Sequence, residues 1–153
     1  MAGARLVPEL YCTDFARSLA FYTDILSFRV RYARPEERFA YLDRDGAELM
    51  IEQSVGRAFL AAPPEYPFGR GINLQIEVDD VAQLHARVAE TDASIYLPLE
   101  EKWYRRDNTM VGSHQFIVLD PDGYLLRLFQ DLGTRSLQEH DDAAQDRNQY
   151  REG

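Results

Sequence analysis

The chain has 153 residues, 45% of them apolar and 28% charged, with a formal net charge of −9. That length suits a single domain with a real core, and no apolar run approaches the roughly 18 residues that cross a bilayer. The acidic balance excludes a nucleic-acid surface, the lone Cys12 excludes an internal disulfide, and "MAGARLVPEL" lacks the apolar segment of a signal peptide, so the expected compartment is the cytoplasm.

The first run, "RLVPELYC" (5–12), alternates loosely and is expected to be a strand, with Pro8 placing it at an edge or a hinge. Asp14 is positioned to cap a helix through "FARSLAFYTDIL", in which Phe15, Leu19, Tyr22 and Leu26 recur at helical spacing. Three short strand-like runs follow, "FRVRYAR", "RFAYLD" and "AELMIEQ". The Pro- and Gly-rich segment 54–71 is expected to be a linker. The order then restarts. "INLQIEV" (72–78) is a strand, Asp79 or Asp80 caps a helix with Val81, Leu84 and Val88 on one face, and "SIYLPL" is a short strand. The polar segment "EEKWYRRDNTMVGS" is expected to be a loop, and a strand pair over 114–130 turns at "DPDG". The residues after 133 form a polar tail, a frayed helix or a disordered segment.

Each half therefore has a strand, a helix and three strands. The repeat is also visible residue by residue. At a spacing of 77 positions, Phe39, Leu42, Asp43, Asp45, Gly46, Leu49 and Gln53 match Phe116, Leu119, Asp120, Asp122, Gly123, Leu126 and Gln130. Identity on both sides of the turn indicates one supersecondary unit used twice.

A duplicated βαβββ unit with these junctions resembles the glyoxalase/bleomycin resistance protein/dioxygenase group, the vicinal oxygen chelate superfamily. The motifs that carry it are "CTDFARSLAFYTDILSF", "LQIEVDDV" and "LDPDGYLLRLFQ", and it spans roughly residues 5 to 131. It implies an α+β fold in which two βαβββ modules in tandem (5–53 and 72–131, within a domain 1–133) form a curved mixed-sheet cup with helices outside, followed by the tail 134–153. Strand alternation then places Leu126 and Leu128 in the core and Arg127 and Phe129 in the cup, with Glu48, Met50 and Glu52 as their counterparts in the first module.

In the metal-using relatives each module supplies one ligand from its first strand and one from its last. Carried over by the local motifs, those positions are Val7, Met50, Asn73 and Arg127. A valine has no donor atom, a thioether suits soft metals, and a guanidinium brings positive charge to the cation's place. The expectation is accordingly no metal, no cofactor and no catalytic residue. The alternative is a glyoxalase- or dioxygenase-type enzyme, or a metal-free lyase or isomerase, with a displaced site using Glu9, Glu52 or Glu77, or His114 as base. His85 and His140 are expected to be structural or solvated, and Cys12 a buried small residue.

The expected lining of the cup is aromatic and acidic: Glu9, Tyr11, Tyr41, Met50, Glu52, Asn73, Gln75, Glu77, His114, Arg127 and Phe129, with Trp103 and Tyr104 from the adjoining loop. Aromatic faces and carboxylates suit flat cationic compounds. The resemblance then implies a bleomycin-resistance-like homodimer that sequesters an aromatic or cationic small molecule, of which a bleomycin-like drug is the example, in a groove between subunits. Lys102, Arg105 and Arg106 oppose a cation, Trp103 with Tyr104 could instead pack at a subunit interface, and Arg127 could pair with Glu52 or Glu77.

Overall fold

A computed structural model describes residues 3–149. Strand β1 (Glu9–Tyr11) leads into α1 (Phe15–Ala20), which continues as a wider π turn over Phe21–Ile25; β2 (Arg29–Arg34), β3 (Phe39–Arg44) and β4 (Ala47–Glu52) complete the first module. The second has β5 (Asn73–Glu77), α2 (Val81–Ala89), β6 (Ile95–Arg106), β7 (Thr109–Leu119) and β8 (Leu125–Ser136), and α3 (Leu137–Gln149) follows. The sheets are ordered β1-β4-β3-β2 and β5-β8-β7-β6. In each, the first strand runs parallel to the last and the remaining pairs are antiparallel. These are the expected tandem βαβββ modules.

The repeated glutamines have a shared structural role. Gln53 Oε1 accepts from the Phe15 amide at 2.9 Å, and Gln130 Oε1 from the Val81 amide at 3.2 Å. Asp14 and Asp80 cap the same helix starts through the amides of Arg17 and Gln83. A glutamine seven residues after each turn glycine thus satisfies a donor that a helix N-terminus leaves free. Alternation along β8 buries Leu126 and Leu128 and leaves Leu125, Arg127 and Phe129 partly open. Along β4, Leu49 and Ile51 are buried. One core of these residues, with Tyr22, Leu26, Phe116, Val81 and Val88 from the helix side, runs through both modules.

Polar side chains join the modules. The Tyr22 hydroxyl donates to Asp120 Oδ2 at 2.8 Å, Thr13 donates to Asp122 from its hydroxyl at 2.6 Å and its amide at 3.1 Å, and the Tyr124 hydroxyl donates to the Tyr11 carbonyl at 3.0 Å. Arg87 of α2 reaches the Ser27 hydroxyl and the Asp24 carbonyl. Burial pushes Asp120 up to about 6, against hydrogen bonds from Tyr22 and from the amides of Tyr124 and Asp122.

The two hairpins differ by one residue of register. In the first module Leu42 faces Leu49, so the 77-residue repeat would place Leu119 opposite Leu126. Instead Leu119 faces Leu125, and Val118 faces Leu126. The first turn needs only Asp45 and Gly46 between paired residues, whereas 120–124 intervene in the second. A one-residue slip moves a strand's whole side-chain set to the other face. Phe116 and Val118, matched by the repeat to Phe39 and Tyr41, therefore enter the core, with Phe116 against the His85 ring at 5.1 Å. Gln115 and Ile117 take the cup side, opposite Phe129 and Arg127.

The segment expected as a loop over 100–113 is strand: β6 and β7 form a long hairpin turning between Arg106 and Thr109, with Asp107 at a φ of +54°. β8 extends three residues beyond position 133, and the tail continues as α3, which packs on β7 and β8. No helix among the described residues is long and apolar enough to cross a membrane.

Candidate functional site

On the first module's sheet, the face away from the helices carries an aromatic ladder. Tyr32 stacks on Tyr41 with centroids 5.1 Å apart and planes 20° from parallel, and lies 6.0 Å from Phe39. The outer rings carry cations: the Arg34 guanidinium sits 3.9 Å from the Phe39 centroid and that of Arg31 5.5 Å from Tyr41. Arg31 and the Tyr41 hydroxyl also bond Glu48. The Ala4 amide, then Tyr41 and Arg31, hold the Glu48 carboxyl below its ordinary range. Tyr32 keeps half its surface open and is the ring free to receive another. A bulge in β2 between Val30 and Tyr32 places both Arg31 and Tyr32 on this face.

Beside the ladder, Glu9 pairs across the strands with Met50, and Tyr11 with Glu52. Burial first, then the neighbouring Glu9 carboxyl, raises the Glu52 pKa. Two close carboxylates resist ionising together, so Glu52 holds its proton more readily than an isolated acid. The linker crosses here: the Phe59 amide donates to the Tyr11 hydroxyl at 2.9 Å.

The same face of the second sheet is basic. Arg127 and Phe129 lie beside Gln75 and Glu77 of β5 and border a cavity of about 360 Å³ with Gln115, Tyr104, Ser113 and Arg106. Arg127 donates to Gln75 Oε1, not to Glu52 or Glu77. Gln75 also lines an adjoining cleft of about 360 Å³ with Asn73, Pro8, Ala4 and Glu48, where the modules meet. Glu77 is exposed.

Glu9, Tyr11, Tyr41, Met50 and Glu52 thus lie on the first sheet, Arg127 and Phe129 on the second, and Asn73 in the cleft between the modules. Trp103 and His114 stand elsewhere. His114 pairs with Gln130 and Glu101, on the helix side of its sheet, because of the register slip. Trp103 faces the same side. Its indole donates to Glu101 at 2.7 Å, the Arg135 guanidinium lies 3.3 Å from its ring centroid, and His140 of α3 is 6.4 Å away. Cys12 is buried, and burial pushes its thiol up to about 12, so it is no nucleophile at neutral pH.

Cross-strand register also revises the positions carried over for a metal. Val7 precedes β1, and Asn73 faces Leu125; the residues beside Met50 and Arg127 are Glu9 and Gln75. Glu9, Met50, Gln75 and Arg127 do not fit a divalent ion, because Gln75 gives its oxygen to a guanidinium that itself stands at one corner. Among the described residues no three His, Cys, Asp or Glu side chains gather as a metal-holding group.

Tyr32, Phe39 and Gln115 are site residues that the alternation pattern alone did not single out. The signal for the first was Tyr32 in "RVRYAR" preceding Tyr41 in the next strand, an aromatic cross-strand pair.

The family model of the Glyoxalase/Bleomycin resistance protein/Dioxygenase superfamily matches residues 5–128. A glyoxalase/bleomycin resistance protein/dioxygenase superfamily member from Vibrio splendidus 12B01 is 44% identical, over 82% of this chain and 97% of that one, with a TM-score of 0.40. TioX from Micromonospora sp. ML1 is 24% identical over 85% of this chain and 100% of its own, with a TM-score of 0.66. Virulence protein STM3117 from Salmonella typhimurium is 16% identical over 85% and 98%, with a TM-score of 0.60. The latter two share the fold. No curated protein matches.

Proposed function

The chain belongs to the glyoxalase/bleomycin resistance protein/dioxygenase superfamily, and on that premise we propose that it is a metal-free small-molecule-binding protein of the bleomycin-resistance-like kind, which sequesters an aromatic compound in its cup. The observation that carries this reading is the half-exposed Tyr32 on its ladder of rings, beside the Glu9–Glu52 pair. A flat ring stacks on Tyr32, and a cationic substituent meets the carboxylates; stacking of this kind contributes about 0.5–1.5 kcal/mol beyond buried area. A homodimer whose partner closes the open side, in the cytoplasm, is part of the same proposal.

Melting-temperature shifts and calorimetry against planar cationic heteroaromatics, bleomycin among them, test it. Tyr32→Ala is expected to weaken binding about tenfold, whereas Trp103→Ala, on the far side of the second sheet, leaves the affinity unchanged. Affinity for the cationic compounds rises with pH as Glu52 loses its proton, above the ordinary carboxylate range, because its pKa is raised. A flat response across the panel overturns the reading.

The Glu52 carboxyl, whose pKa burial and then the adjacent Glu9 raise, favours one second reading, a metal-free lyase or isomerase using Glu52 as general acid–base. Turnover of a bound compound that Glu52→Gln abolishes without loss of binding selects it.

A further inference from the structure

The two walls of the cup have opposite chemistry. The first offers carboxylates. In the second, Arg127 is a guanidinium with a single recorded acceptor, the neutral Gln75 amide. None of the ion pairs among the described residues includes it. Its Nε is buried and makes no hydrogen bond. A buried guanidinium nitrogen normally finds an acceptor, because its desolvation is otherwise uncompensated. Arg127 instead borders an open cavity of about 360 Å³.

The neighbours of Arg127 are arranged as donors. Gln115 is 3% exposed, and its amide nitrogen donates to the Tyr104 hydroxyl at 2.7 Å and to Glu100 at 3.0 Å. The Tyr104 oxygen is thereby an acceptor within the protein, and its own proton is free to point into the cavity. Ser113 adds a hydroxyl, and Arg105 and Arg106 stand at the rim. The carboxylate in the lining, Asp131, is exposed and accepts from the Gly133 amide at 2.7 Å. Phe129 and Val111 supply apolar wall.

We propose that this second-module cavity is a carboxylate subsite, in which Arg127 and the Tyr104 hydroxyl bind the planar anionic group of an aromatic acid whose ring lies against Phe129. A single guanidinium with one flanking hydroxyl matches two coplanar oxygens, and the apolar wall requires an organic body behind them. The inference rests on the reading that the cup takes a small molecule. It adds that the ligand is an acid, and an amphoteric one if it also meets Glu9 and Glu52.

Calorimetry and amide chemical shifts with 2-naphthoate, its neutral amide, a planar naphthyl-ammonium compound and inorganic phosphate test it. The acid is expected to bind at least tenfold more tightly than the amide and to shift the amides around Ser113–Gln115. Arg127→Met removes that preference, Arg127→Lys keeps part of it, and Trp103→Ala, on the opposite face of the sheet, leaves it intact; unchanged melting curves show that the variants are folded. Equal binding of acid and amide, a preference that survives in Arg127→Met, or phosphate competing as well as the acid overturns the subsite. Binding of the ammonium compound through Tyr32 with no carboxylate preference overturns this inference and leaves the proposed function standing. Binding of the acid alone supports the subsite and removes the cationic substituent from the proposed function.

Discussion

Alanine at Gly123 is expected to lower the unfolding free energy by about 3 kcal/mol, against about 1 kcal/mol for the same change at Gly46. The two glycines occupy matching places in the repeat, at φ of +95° and +90°, and each substitution incurs the cost of holding an L-residue in left-handed backbone. Their surroundings differ. A Cβ at Gly46 meets nothing within 4 Å, whereas one at Gly123 comes to 2.6 Å from Pro67 Cβ and 2.7 Å from its Cα. That contact is with linker backbone, which cannot swing aside as a side-chain tip can. Urea unfolding of the two variants beside the wild type reads the difference directly. Equal losses would show that the linker does not hold the second turn.

Asp120 carries the second large effect, and its sign is unusual for an aspartate. Its folded-state pKa stands at about 6, above the ordinary 3.8, so between those values the folded chain holds a proton that the unfolded chain has released. Its contribution is therefore fully present below about pH 4 and lost as pH rises through about 6, with an amplitude of about 3 kcal/mol. Asp120→Asn keeps an oxygen for the amides of Asp122 and Tyr124 and carries no charge at any pH. The variant is expected to gain on the wild type in urea midpoints from about pH 4 to just above pH 6 and then to hold a constant lead to pH 8. Asp120→Ala, which leaves the fully buried Tyr22 hydroxyl and two amides without their acceptor, is expected to cost about 2–4 kcal/mol. A difference between Asn variant and wild type that is constant across that range would remove Asp120 as the titrating group.

The same residue shows where the sequence could and could not be followed. Asp43 and Asp120 match in the repeat, yet Asp43 stays in β3 near the surface, taking the Gly46 amide at 3.0 Å and facing Arg29, while Asp120 is drawn into the core to meet Tyr22. Two-residue alternation could be followed in β4 and β8 because charged residues, Glu48, Glu52 and Arg127, mark the face opposite the buried Leu49, Ile51, Leu126 and Leu128. β7 gave no such guide. Phe116, Ile117 and Val118 are all apolar, so the repeat was the remaining clue to its facing, and the longer second turn displaced it by one residue. His114 was carried to the wrong side with it. Trp103 was obscured differently. Its strand is dense in charge, "EEKWYRR", because the edge strand β6 meets water on one side and α3 on the other. Contact with α3, through Glu101 and Arg147, has no periodic signature in the sequence.

The polar seam between the modules also bears on how the chain folds. Tyr22 and Thr13 of the first half find their acceptors on Asp120 and Asp122 of the second, and Arg87 of the second finds its own on Ser27 and Asp24 of the first. Each half alone would present these groups unsatisfied, next to an apolar core cut through its middle. Duplication supplied two copies of a motif, but the seam has made them halves of one cooperative unit. Neither half is expected to fold by itself, and fluorescence and circular dichroism are expected to report one coincident unfolding transition.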